Sequence, residues 1–180
     1  MRFKEWLLIE KHNTSYSFSS TQIDVPQPIA NKILRWSDDH IPDKLLVNNN
    51  KAHGREDEIH VTALYGLHTE SPNDVESILK KTNPFEISLG KVSKFEGESY
   101  DVIKIDVSGQ SVKDLNRALR RLPHSSSFKV YKPHCTIAYV KQGSCDKLLG
   151  NSDFLGTKIT IDKITFSSKN GQKSSLQLSH

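Results

Sequence analysis

The sequence predicts an α+β protein built from two like lobes, each a sheet backed by helices, facing one another across a central cleft. Three observations lead there. A strand, a helix and an apolar run containing His-x-Thr occur in that order twice: 16–25, 28–39 and 58–66, then 100–108, 111–122 and 132–141. Such self-similarity marks a degenerate internal duplication. The strand candidates alternate polar and apolar side chains with a period of two, and the helix candidates carry one apolar stripe between breakers. At 180 residues the chain suits one domain, residues 1–180, with the lobes as its halves.

Each element follows from local chemistry. YSFSSTQIDV (16–25) is rich in β-branched and aromatic residues and stops at Pro26. Pro28 suits a first helical turn, and Ile29, Ala30, Ile33, Leu34 and Trp36 trace one helical face to about Asp39. PDKLLVNNNKAHGRED (42–57) is polar and Asn-rich, a long loop of the kind that forms lids or binding surfaces. EIHVTALYG (58–66) is a strand. Ser71 with Asp74 forms a capping box for a short helix with Pro72 in its first turn and Val75, Ile78 and Leu79 on its buried face, ending near Lys81. FEISLGKVSKFE (85–96) and YDVIKIDVS (100–108) are strands, the second alternating Val102, Lys104 and Asp106 against Ile103, Ile105 and Val107. Ser111 and Asp114 repeat the capping box, and Val112, Leu115, Leu119 and Leu122 line a helix that Pro123 ends. KPHCTIAYV lies in the second His-x-Thr strand (132–141); TKITIDKITFSS (157–168) reads as one strand, joined through Asn170-Gly171 to KSSLQLS as a hairpin.

Composition narrows the function. Apolar residues are 35% and charged residues 26% of the chain, and no apolar run approaches the roughly 20 residues that span a bilayer, so no membrane partner is expected. MRFKEWLLIEKHN lacks the continuous apolar core of a signal peptide, which points to a cytoplasmic protein. Cys135 and Cys145 are too few for a disulfide framework and read as reduced structural thiols. A net charge of +4 leaves room for an anionic ligand without requiring nucleic acid.

The chemistry lies in the repeated motif. Alternation in a strand puts His60 and Thr62 on one face, with Val61, Ala63 and Tyr65 behind; it likewise separates His134 and Thr136 from Cys135, Ile137 and Tyr139. Two imidazoles flanking a phosphorus can divide proton transfer, one accepting from the attacking hydroxyl and one donating to the departing oxygen. The threonine hydroxyls can donate to the non-bridging oxygens as charge grows there. No metal or other cofactor enters this scheme. A zinc site of His60, His134 and Glu58 is the alternative, and it leaves both threonines without a part. His12, His40, His53, His68, His124 and His180 fall in loops or at ends; Lys113, Arg117, Arg120 and Arg121 read as the solvated face of a helix. Arg55, Lys129 and Lys132, next to the motifs, are better placed to meet an anion.

Paired His-x-Thr motifs 74 positions apart in apolar strands resemble the two-histidine (2H) phosphoesterase superfamily, which includes bacterial 2′-5′ RNA ligase and 2′,3′-cyclic phosphodiesterases. GREDEIHVTALYGLHTESP and MRFKEWLL are similar to phage anti-CBASS proteins, which cleave the cyclic oligonucleotide signals of a bacterial immune system. The resemblance implies a bilobal antiparallel fold with His60, Thr62, His134 and Thr136 lining the cleft, metal-independent catalysis, and action in the host cytoplasm if the chain is phage-encoded. It also implies that Tyr16 and Phe18 hold a base. A cyclic di- or trinucleotide is then the expected substrate, with RNA ends as the alternative and no obligate protein partner. A non-catalytic nucleotide sponge would tolerate loss of either histidine, and both are present.

Overall fold

Eight strands pair into one antiparallel sheet in a computed structural model of the chain, which describes residues 17–48, 53–126, 128 and 130–179. They are β1 (Ser19–Asp24), β2 (His60–Leu67), β3 (Phe85–Glu96), β4 (Tyr100–Ser108), β5 (His134–Lys141), β6 (Lys158–Ile161), β7 (Lys163–Ser167) and β8 (Lys173–Gln177). Their order is β6-β3-β4-β5-β2-β1-β7-β8. The two halves meet where β5 lies beside β2, and a single registered pair, Val61 with Cys135, joins them. The two expected sheets are therefore halves of one sheet. The order is symmetric about this junction, with β4 flanking β5 as β1 flanks β2.

Among the described residues three α-helices accompany the sheet: α1 (Gln27–His40), α2 (Pro72–Leu79) and α3 (Gln110–Leu119). Two of them cross between halves, α1 packing on β5 and α3 on β2 as well as β3, while α2 packs on β8. Val61, Ala63, Ile103, Ile105, Cys135 and Ile137 sit in the same buried core as Ile33 of α1 and Leu115 of α3, which leaves the opposite face of the central strands for the cleft. The connecting segments cross as well. The described ends of the 42–57 loop run along β5, where Glu56 N–H donates to Ile137 O (2.8 Å) and Tyr139 N–H to Gly54 O (2.9 Å). Residues 123–125 run along β2, where Ser125 N–H donates to Gly66 O (2.8 Å). Gly66 permits this approach, since it has φ +91° and a Cβ there would lie 3.0 Å from Ser126 N.

Several local expectations change. TKITIDKITFSS is not one strand: the chain breaks at Asp162, β6 pairs with β3 at one edge, and β7 pairs with β1 in the other half. Ser71 caps α2 as expected, accepting from Asn73 N–H at 3.3 Å, but Asp74 turns aside to accept from Thr69 Oγ1 at 2.7 Å. Ser111 is not a cap. Gly109 holds that position at φ 153°, which puts Ser111 inside the first turn and leaves Asp114 to accept from Gln110 and Arg117.

Candidate active site

Pairing carries the motif outward onto neighbouring strands, because residues opposite one another in a ladder share a face. His60 sits opposite Asp24 and Thr62 opposite Gln22; His134 sits opposite Asp106 and Thr136 opposite Lys104. The floor of the cleft is thus two copies of one pattern. Each aspartate is held by polar neighbours. Asp24 accepts from Gln22 Nε2 (2.6 Å) and Thr165 Oγ1 (2.6 Å); Asp106 accepts from Lys104 Nζ and from Ser93 Oγ (2.8 Å). The sequence signal for these residues is the repeat QIDV (22–25) and KIDV (104–107), beside each His-x-Thr strand in space but 38 and 30 residues before the histidine in the chain.

Both histidines are half-buried and oriented alike. Nδ1 of His60 lies 2.9 Å from Glu58 O, and Nδ1 of His134 lies 2.8 Å from Lys132 O. A carbonyl can only accept, so each ring carries its proton on Nδ1 when neutral and keeps Nε2 as the basic nitrogen. A charge on His60 disfavours one on His134. The two rings differ in surroundings. Burial pushes His134 down to about 4 from 6.5, the hydrogen bond to Lys132 O opposes this, and the Lys104 cation adds to it. Phe95 stands edge-on to the His134 ring at 4.8 Å and beneath Lys104 Nζ at 4.5 Å. His134 is therefore neutral in the free protein near pH 7. Burial works against the Asp106 carboxylate, yet the hydrogen bonds from Lys104 and Ser93 hold its carboxyl below the usual range.

Alternation fails just beyond the motifs. A bulge inserts Ala63 after Thr62 and Ile137 after Thr136, so that Thr62 and Leu64 pair with successive residues of β1, and Thr136 and Ala138 with successive residues of β4. The extra residue reverses the parity that follows. Tyr65 and Tyr139, expected behind the motifs, share a face with the threonines: Tyr65 lines a cavity with Thr62, and Tyr139 packs with Val47, Phe95, Tyr100 and Val102 apart from the main core. Two side chains that carried no sequence signal satisfy the carbonyls freed where β2 leaves β5. Tyr131 Oη donates to Thr62 O at 2.8 Å, and Asn116 Nδ2 donates to Ala63 O at 2.6 Å.

The remaining expectations separate cleanly. Arg55 does not face the cleft; it clamps the end of α1 through Ser37 O (2.8 Å), Asp38 (3.2 Å) and Asp43 (2.7 Å). Lys132 lines the cavity beside His134, and Lys129 lies outside the described residues. Phe18 stacks on His68 at 5.5 Å and meets Tyr65 edge-on at 6.3 Å, so it backs the cleft wall without lining the cavity at His134. Tyr16 lies outside the described residues. Glu58, third member of the alternative zinc set, pairs with Lys173, and no group of three or more His, Cys, Asp or Glu suited to a metal occurs among the described residues. Both cysteines are buried free thiols, with Cys135 pushed up to about 12 by burial.

A family model described as the 2′-5′ RNA ligase superfamily matches residues 25–172, most of the chain and both motifs. The chain belongs to this superfamily. Solved structures agree on the fold of this 2′-5′ RNA ligase superfamily member. TT0787 of Thermus thermophilus superposes with a TM-score of 0.64 at 16% identity, covering 91% of this chain and 100% of its own. E. coli LigT complexed with 3′-AMP gives 0.61 at 16% identity over 90% of this chain and 94% of LigT, and LigT complexed with NADP+ gives 0.62 at 15% identity over 90% and 95%. No curated protein sequence matches significantly. No helix among the described residues is long and apolar enough to cross a membrane.

Proposed function

We propose that this superfamily member is a metal-independent phosphodiesterase that cleaves 3′-5′ bonds of cyclic di- or trinucleotide immune signals, in the manner of the anti-CBASS proteins its sequence resembles. The observation that carries the reading is the matched pair of histidines on adjoining strands, each with Nδ1 on a backbone carbonyl and a threonine two residues on. In this scheme neutral His134 takes the proton of the substrate 2′-hydroxyl through Nε2. The 2′-oxygen attacks phosphorus, the bond to the 5′-oxygen breaks, and His60 gives that oxygen a proton. The products are a 2′,3′-cyclic phosphate and a free 5′-hydroxyl on one opened chain. Thr62 and Thr136 donate to the non-bridging oxygens as negative charge builds there. A modest net charge of +4 suits a small closed substrate better than a long RNA track.

The second reading is RNA end-processing: a 2′,3′-cyclic phosphodiesterase or an enzyme like 2′-5′ RNA ligase. The superfamily description and the 3′-AMP complex of LigT favour it. A ribose cyclic dinucleotide compared with its 2′-deoxy analogue tests the attacking group. The ribose form is expected to be opened and the deoxy form to remain intact; cleavage of both at similar rates would assign the attack to water and remove the proposed division between the histidines.

A further inference from the structure

A cavity of about 250 Å³ includes Thr62 and His134 in its lining. It exists because β2 and β5 share one registered pair and then diverge, while Tyr131 straps the returning chain to Thr62 O. The equivalent place in the other half is filled: Tyr139, the counterpart of Tyr65, is 1% exposed and packed against the rings of His53 (5.8 Å) and Tyr100 (6.0 Å). The duplication has thus left one side open and closed the other. The open side is walled by Leu64, Tyr65, Phe95 and Tyr131, with Arg120 reaching in from the end of α3. Arg120 Nη1 lies 3.5 Å from Ser126 Oγ, at the limit of hydrogen bonding.

We propose that this cavity holds one nucleobase of the substrate, guanine in preference to adenine, with the attached phosphate lying on the two histidines. The proposal rests on the phosphodiesterase reading and adds a substrate preference to it. The size admits a single unit, since drug-sized ligands need roughly 300–1,000 Å³. Aromatic walls suit the face of a base. The guanidinium of Arg120 offers only donors, and guanine presents two adjacent acceptors, O6 and N7, where adenine pairs one acceptor with a donor.

Calorimetric titration of the full chain with 3′-GMP, 3′-AMP and inorganic phosphate tests this without turnover. Wild type is expected to bind 3′-GMP about 10-fold or more tighter than phosphate, and tighter than 3′-AMP. Val130→Trp changes a residue that is 68% exposed and lines the cavity, so it is expected to weaken 3′-GMP about 10-fold with phosphate affinity unchanged. Arg120→Met is expected to bring the two nucleotides level. Phosphate binding with no gain from the base, or no effect of Val130→Trp, would overturn the pocket and leave the histidine pair standing. An unchanged GMP-to-AMP ratio in Arg120→Met would overturn the guanine preference. Failure of wild type to bind phosphate or either nucleotide would overturn both the pocket and the phosphodiesterase reading.

Discussion

His60→Ala and His134→Ala are each expected to lower turnover about 100-fold or more, the usual worth of a positioned acid or base. The fold is expected to survive both changes. Each imidazole lies on the cleft face and bonds to its own strand entrance, at Glu58 O or Lys132 O. The strands themselves are anchored from behind by Val61, Ala63, Cys135 and Ile137, all 0% exposed. Thr62→Val and Thr136→Val keep the shape and remove one donor, so each is expected to cost at most about 3 kcal/mol in transition-state stabilisation. Steady-state rates beside melting curves distinguish the cases. More than about a tenth of wild-type turnover in either alanine variant would contradict a role in proton transfer.

Lys94→Met is expected to give the largest loss of stability. Lys94 lies on β3 at 11% side-chain exposure, and its ammonium meets Asp146 at 2.6 Å, Asp101 at 3.1 Å and Glu96 at 3.3 Å. The hydrogen bond to Asp146 is the main cause of a strongly raised Lys94 pKa; burial opposes it, and Asp101 and Glu96 add to it. Asp101 is 1% exposed and also accepts from Gly143 N–H at 2.8 Å, so the cluster ties β3 and β4 to the turn after β5. Methionine keeps the volume and removes the charge, which leaves the buried Asp101 carboxylate without its cation. The expected loss is about 3 kcal/mol, the low end for breaking a buried pair because Asp146 and Glu96 remain solvated. That corresponds to a fall in Tm of roughly 6–12 °C. The cluster lies away from both histidines, so kcat below the melting range should be unchanged. A shift under about 2 °C would show that Asp101 is satisfied without Lys94.

Much of this architecture was legible because it depends on local periodicity. β3 and β4 fall where alternation placed them, and the strands of the two strand-helix-strand runs lie side by side in the order β4-β5-β2-β1. Alternation reports which side of a strand is apolar and is silent on which strand lies beside it. Residues 157–168 therefore read as one strand while Asp162 divides them between opposite halves. The motif residues were legible for the same reason, being apolar-flanked and repeated. Tyr65 and Tyr139 were misplaced because a bulge leaves no mark in residue type, and its extra residue inverts every parity beyond it. Asp24 and Asp106 join the site through cross-strand register, and the QIDV and KIDV repeat gains meaning only once those strands are paired. Tyr131 and Asn116 act through hydroxyl and amide contacts to backbone 69 and 53 residues away, which no short pattern encodes.

The proposed reaction is the opening of a cyclic oligonucleotide by two histidines without a metal. Its most direct test is to incubate the purified chain in EDTA with a panel of cyclic di- and trinucleotides and 2′,3′-cyclic mononucleotides, and to separate the products by chromatography. EDTA is expected to leave the rate unchanged, and cyclic oligonucleotides are expected to become linear products ending in a 2′,3′-cyclic phosphate or the monoester formed when it opens. Activity abolished by EDTA and restored by zinc or manganese, or turnover of the mononucleotides with the cyclic oligonucleotides left intact, would contradict it.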